Sequence, residues 1–118
     1  METGIKEFFD KNDQFARHSG CVLLEAHNGF ARGKMEIQPF HFNGMATVHG
    51  GAIFTLADYV FAAAGNSHGT AAVAVNVSIT YMKAARTGTL YAEARELSRN
   101  PKLASYTINV TDDDGDLI

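Results

Sequence analysis

The chain has 118 residues, is 46% hydrophobic and 19% charged, and carries a formal net charge of −3 and one cysteine. That length fits one domain around one core. The acidic balance argues against a general nucleic-acid binder or a polybasic membrane surface, and no stretch reaches the roughly 18 apolar residues of a membrane-spanning helix.

A lone Cys21 has no internal partner and reads as a small buried side chain. The charged N-terminus has no signal-peptide core, and a reducing, cytoplasmic setting is the expectation.

In chain order, Ile5–Arg17 has the spacing of a short amphipathic helix, with Ile5, Phe8, Phe9 and Phe15 toward the core and Lys6, Glu7, Asp10, Lys11 and Asp13 toward water. Cys21–Ala26 and Phe30–Gln38 read as strands joined by Asn28-Gly29, a strong hairpin signal. In the second strand Ala31, Gly33, Met35 and Ile37 alternate with polar residues, so one face is buried and one is wet. Phe40–Val48 is a loop that delivers His41, Asn43, Gly44 and Thr47 to the start of the next element.

That element, His49–Gly65, is the helix on which the chain is organised. Two glycines open it, Gly65 and Asn66 stop it, and its apolar residues wrap almost the whole circumference, which predicts a buried helix. Asp58 is its only charge, flanked by Phe54 at i−4 and Phe61 at i+3. An unpaired carboxylate in apolar surroundings is costly or takes up a proton. Asp58 is therefore either a rim residue with a distant partner or a group held near a reacting centre.

Val73–Met82 alternates most clearly of all, and Leu90–Leu97 and Leu103–Thr111 follow as strands around turns at Arg86–Gly88 and Arg99–Lys102. Asp114-Gly115 then makes a bend with only three residues after it, from which a C-terminal strand missing from the single 1–118 domain is expected. Short turns between neighbouring strands and one buried helix make an α+β fold with an antiparallel sheet.

Gly50 and Gly51 leave the first backbone N–H groups of the helix accessible at its positive end, where a carbonyl can be polarised. Asn43 and His49 stand close by in sequence and can orient a water or a carbonyl. Gly50 and Asp58 are eight residues apart, roughly 12 Å along one helix axis. One helix cannot bring both to a single reacting atom, but two antiparallel copies can, so joint catalysis by these residues requires a two-fold dimer. His18, His27, His41 and His68 show no metal-ligand spacing, and no phosphate loop, serine elbow or dinucleotide fingerprint is present.

N-G-x-x-x-V-H-G-G-x-x-x-x-L-x-D, standing at Asn43 through Asp58, resembles the signature of the hotdog-fold acyl-CoA thioesterases, in particular the PaaI-like (phenylacetate-degradation) branch and that of thioesterase superfamily member 2. V-x-V-N-V-S-I-T-Y-M, Val73–Met82, is similar to the strand that follows the helix in that family. The resemblance implies a sheet wrapped around the long helix, and edge-to-edge homodimers assembled further into homotetramers. It implies no metal or redox cofactor; coenzyme A is part of the substrate.

By the same resemblance Asp58 is general base or nucleophile and the Gly50 N–H of a second copy polarises the thioester carbonyl. Asn43 and His49 orient substrate or water, and Gly51 and Phe54 line the site. Coenzyme A is gripped near Tyr81 and at the turn of Arg99, Asn100, Pro101, Lys102 and Leu103, where the two cations suit phosphates; the alternative is solvated turn charges. Ala74 stands where relatives often carry Ser or Thr, and Lys83-Ala84 where a proline is common. Phe54, Phe61, Tyr59 and Met82 leave room for an aromatic or a medium-chain acyl group. Two rivals remain: a relative that binds acyl-CoA without hydrolysing it, and a hydratase on the same fold.

Overall fold

The computed structural model describes residues 2–118, in the order α1 (Glu2–Asn12), α2 (Gln14–His18), β1 (Cys21–His27), β2 (Phe30–Glu36), a 3-10 turn (Pro39–His41), α3 (Gly50–Asn66), β3 (Thr89–Arg99) and β4 (Ala104–Thr111). The four strands form one antiparallel sheet in the order β1-β2-β3-β4. Asn28 and Gly29 both take positive φ, 46° and 81°, and pair His27 with Phe30 across the predicted hairpin. Among the described residues no helix is long and apolar enough to cross a membrane.

The sheet face under α3 is built largely from small residues: Ala26, Ala31, Ala92 and Ala94 are buried there beside Leu23, Met35 and Leu90. Small side chains let the helix lie close, so that Ile53, Leu56, Tyr59, Val60, Ala63 and Ala64 are buried against the strands. Full burial at about 25 cal/mol per Å² makes this layer the main stabilising contact of the fold. The far end of the helix is tied to the hairpin by Ser67, whose hydroxyl accepts from Gly29 N–H at 2.7 Å and donates to the Ala64 carbonyl at 2.7 Å.

Three expectations are corrected. The single N-terminal helix is two, because the Asp13 carboxylate accepts from Ala16 N–H at 3.1 Å and starts a new helix there. The break changes the phase of the pattern: Ile5 and Phe9 pack on the core, whereas Phe8 and Phe15 are exposed. The central helix is covered on one side only; Phe54, Ala57, Asp58 and Phe61 look onto open cavities. Within residues 2–118, Val73–Met82 is not a strand. Its alternation is real, but a strand needs a neighbour, and among the described residues 73–81 make no backbone–backbone hydrogen bond.

After β4 the chain turns back. Thr111 pairs with Leu117, and Ile118 donates its N–H to the Val110 carbonyl at 2.8 Å. Its own carbonyl accepts from Met82 N–H at 2.6 Å and Lys83 N–H at 3.1 Å, so Ile118 sits between β4 and the end of the unpaired segment. Asp112, Asp114 and Asp116 cluster in this turn around the Lys83 ammonium, which lies 3.0 Å from Asp112 and 2.7 Å from Asp116.

Candidate active site

The start of α3 is assembled by short-range hydrogen bonds. His49 is the N-cap; its N–H donates to the His41 carbonyl at 2.7 Å and its Nδ1 accepts from Gly51 N–H at 2.8 Å. Accepting at Nδ1 leaves the proton of a neutral imidazole on Nε2, a donor on an exposed ring. Gly51 is thus already capped, while among the described bonds none uses the N–H of Gly50. Of the two amides proposed from sequence, Gly50 is the one available to a ligand.

Tyr81 crosses from the unpaired segment to this point and donates its hydroxyl to the Gly50 carbonyl at 3.0 Å. A Cβ on Gly50 would lie 2.9 Å from that hydroxyl, so the close approach requires glycine.

Asn43 is held within its own loop. Its Oδ1 accepts from Met45 N–H at 2.9 Å and Thr47 N–H at 3.2 Å, and its Nδ2 donates to Thr47 Oγ1 at 3.0 Å. The carboxamide is turned into its own loop and shapes the approach to the helix. His41 is structural too: it is buried, accepts at Nδ1 from Gln38 N–H and donates from Nε2 to the Ser19 carbonyl at 2.6 Å.

Asp58 lies on the uncovered side of α3. Among the described residues it has no hydrogen-bond or ion-pair partner, and it is exposed at the junction of two cavities, of about 480 Å³ and 1150 Å³. Desolvation by its surroundings, and then the negative charge of Asp13, hold its carboxyl above the ordinary aspartate range. Asp58, Phe61, Asn76 and Tyr106 border both cavities.

The larger cavity also reaches Arg99, Asn100, Pro101, Lys102 and Leu103, and the smaller one Phe54. Asn100 organises that turn: its Oδ1 accepts from Lys102 N–H and Leu103 N–H, both at 2.9 Å, while its backbone pairs with Leu103. Arg99 and Lys102 are thereby presented exposed at the cavity wall.

The candidate residues thus fall into two groups. Asp58, Phe54 and the 99–103 turn share connected cavities, whereas Asn43, His49, Gly50, Gly51 and Tyr81 gather at the other end of the helix and line neither. For Gly50 and Asp58 this separation follows from the 1.5 Å rise per residue of the helix, roughly 12 Å over eight residues. Asn76 and Tyr106 were not singled out as site residues. Nothing in their spacing along the sequence ties either of them to Asp58.

Residues 45–118 match the thioesterase superfamily. A protein of Archaeoglobus fulgidus described as a candidate esterase is 43% identical over 119 residues, which is all of this chain and 77% of that protein. The Escherichia coli acyl-coenzyme A thioesterase PaaI is 35% identical over 101 residues, 85% of this chain and 72% of that protein. The solved structure of E. coli PaaI, from the phenylacetic acid degradation operon, superposes with a TM-score of 0.94 at 30% identity and covers 98% of this chain and 85% of that one. The sheet, the helix across it and the match running from the pre-helix loop to Ile118 agree: this chain belongs to the thioesterase superfamily and is a PaaI-like thioester hydrolase with the hotdog fold.

Proposed function

We propose that the chain hydrolyses acyl-CoA thioesters to the free acid and coenzyme A. The observation that carries this reading is Asp58 itself, an exposed carboxylate with no partner among the described residues, held above the ordinary aspartate range on a helix whose first N–H, at Gly50, the described bonds leave unused. A carboxylate suited to general-base or nucleophilic work and an amide suited to a developing oxyanion stand on one element, and Arg99 and Lys102 are exposed cations suited to phosphates. In this scheme the thioester carbonyl lies beside Asp58, which takes a proton from the attacking water or attacks directly. The charge developing on the carbonyl oxygen is met by the Gly50 N–H at the positive end of α3.

Within one subunit those groups are roughly 12 Å apart along the helix, so the second donor comes from another copy, with two equivalent sites per homodimer. His49 Nε2–H is a further donor beside that amide, and Asn43 contributes by shaping the loop. The scheme calls on no metal or redox cofactor. The names of the PaaI and human thioesterase 13 relatives, both acyl-coenzyme A thioesterases, support the substrate class.

The test is complementation between inactive chains. Asp58→Asn and Gly50→Ala subunits, each assayed alone by thiol release from a panel of acyl-CoAs, should turn over poorly. Mixed through a dissociation and reassembly step, they should recover about a quarter of wild-type activity, since random pairing makes half the dimers hybrid and gives each hybrid one intact site. No recovery in hybrids whose formation is verified would defeat the shared site. Binding of acyl-CoA by the wild type without thiol release would defeat hydrolysis.

A further inference from the structure

His41 touches no reacting group, yet the geometry of the helix start runs through it. The loop between His41 and His49 is closed on itself. Phe42 pairs with Val48, Asn43 N–H donates to the Thr47 carbonyl at 2.8 Å, and His49 N–H donates to the His41 carbonyl at 2.7 Å. Loop and N-cap of α3 are therefore one piece, fastened to the strands and turns around it near its two ends. One fastening is the Val48 N–H, which donates to the Ala85 carbonyl at 2.9 Å. The other is the His41 imidazole.

That residue is 3% exposed, and its ring packs on Phe40 with centroids 4.4 Å apart. Nε2 donates to the Ser19 carbonyl, 22 residues back, at 2.6 Å, and Nδ1 accepts from Gln38 N–H at 2.9 Å. Ser19 is the C-cap of α2, and Gly20, at φ 86°, turns the chain into β1 beside the ring. A carbonyl only accepts and an amide N–H only donates, so these partners fix the neutral Nε2–H tautomer. A buried imidazole with both nitrogens engaged has one position and one orientation.

We propose that His41 is a positioning residue for the hydrolysis: its imidazole fixes the His41 carbonyl, and that carbonyl fixes the backbone of His49. His49 in turn spends its Nδ1 on Gly51 N–H, which leaves the Gly50 N–H for the oxyanion. The Gly50 N–H belongs to the same planar peptide unit as the His49 carbonyl, so it moves when the His49 backbone moves. This rests on the acyl-CoA reading above. An oxyanion forms only on attack, so a misplaced amide lowers kcat and leaves KM alone.

The experiment measures kcat and KM by thiol release with benzoyl-CoA and hexanoyl-CoA, at a temperature where a melt shows each variant folded. His41→Phe keeps a ring and loses both bonds. Its kcat should fall about tenfold to a hundredfold, the scale on which a misplacement of about 1 Å acts, with KM unchanged. His41→Gln, whose amide nitrogen reaches the place of Nε2 and donates to the Ser19 carbonyl, should recover most of that loss. In a Gly50→Ala chain, whose donor is already blocked, His41→Phe should cost less than about twofold more. If His41→Phe does not fold, His41→Asn, which keeps the Gln38 bond and loses the link to Ser19, takes its place. Nitrogen NMR of the wild type, which needs no variant, should show His41 protonated on Nε2 and bare on Nδ1 at neutral pH.

Wild-type kcat in folded His41→Phe, a full multiplicative loss in the double variant, or a proton on Nδ1 would each overturn the assignment. If the wild type releases thiol from neither substrate, the acyl-CoA reading fails and this role falls with it.

Discussion

Replacing Gly50 by alanine separates the chemistry of the helix start from its stability. The new Cβ would stand 2.9 Å from the Tyr81 hydroxyl and 3.0 Å from its Cζ, where ordinary contact begins near 3.4 Å, so about half an ångström must be found. Tyr81 is exposed and sits on a segment without backbone pairing, so its ring swings away and its 3.0 Å bond to the Gly50 carbonyl is lost, a cost of about 1 kcal/mol. Alanine's advantage over glycine, about 1 kcal/mol in a helix interior and less at this first position, offsets part of it. The unfolding free energy should therefore move by less than about 1 kcal/mol.

Catalysis has no such compensation. The methyl group stands beside the one amide at this helix start that the described bonds leave unused, and loss of a backbone donor to an oxyanion costs about 10²–10³ in kcat. Thiol release under saturating acyl-CoA, with a denaturant melt alongside, gives both numbers. Tyr81→Phe is the control: it removes the hydroxyl but leaves the amide open, and should cost less than about tenfold. Wild-type kcat in Gly50→Ala, or an equal loss in Tyr81→Phe, would refute the role given to this amide.

Two further outcomes follow from the opposite side of the site. Asp58→Asn should cut kcat by about 10²–10⁴ and remove the acid limb of the wild-type pH profile. That limb should fall at a pH above the ordinary aspartate value, because the carboxyl is held high. The sign for stability is the reverse: a folded-state pKa raised above the unfolded one stabilises below the unfolded value and is lost as pH rises through the folded value, so Asp58→Asn should gain on the wild type as pH rises through that window. Arg99→Ala and Lys102→Ala should each raise KM for acyl-CoA, less so at high salt, and leave KM for an acyl-pantetheine lacking the nucleotide phosphates unchanged.

Much of this architecture can be read without coordinates, for reasons that differ by element. The hairpin at Asn28-Gly29 is legible because its turn needs positive φ at two successive residues, and those two tolerate it. The helix at 50–66 is legible because its boundaries and apolar content are local. The spacing of Gly50 and Asp58 is legible because a helix is a ruler.

What the pattern could not give was pairing. Val73–Met82 alternates as a strand should, yet a period of two says nothing about which backbone, if any, lies alongside. Nor could it tell that Asn43 would spend its carboxamide on its own loop, that Asp13 would restart a helix by capping, or that Glu96 and His68, 28 residues apart, would meet on the phenol of Tyr106. Each is a contest between equally short-range or long-range partners, and tertiary packing decides it.

The unpaired segment has a consequence for how the chain behaves in solution. Val73 and Val75 are 89% and 79% exposed, on a run of backbone whose donors and acceptors are all open to another chain. Such an edge joins whatever strand it meets first, right or wrong. Until that edge is paired, copies of the described chain should stick to one another through it, and turbidity on concentrating residues 2–118 should rise more steeply than first order.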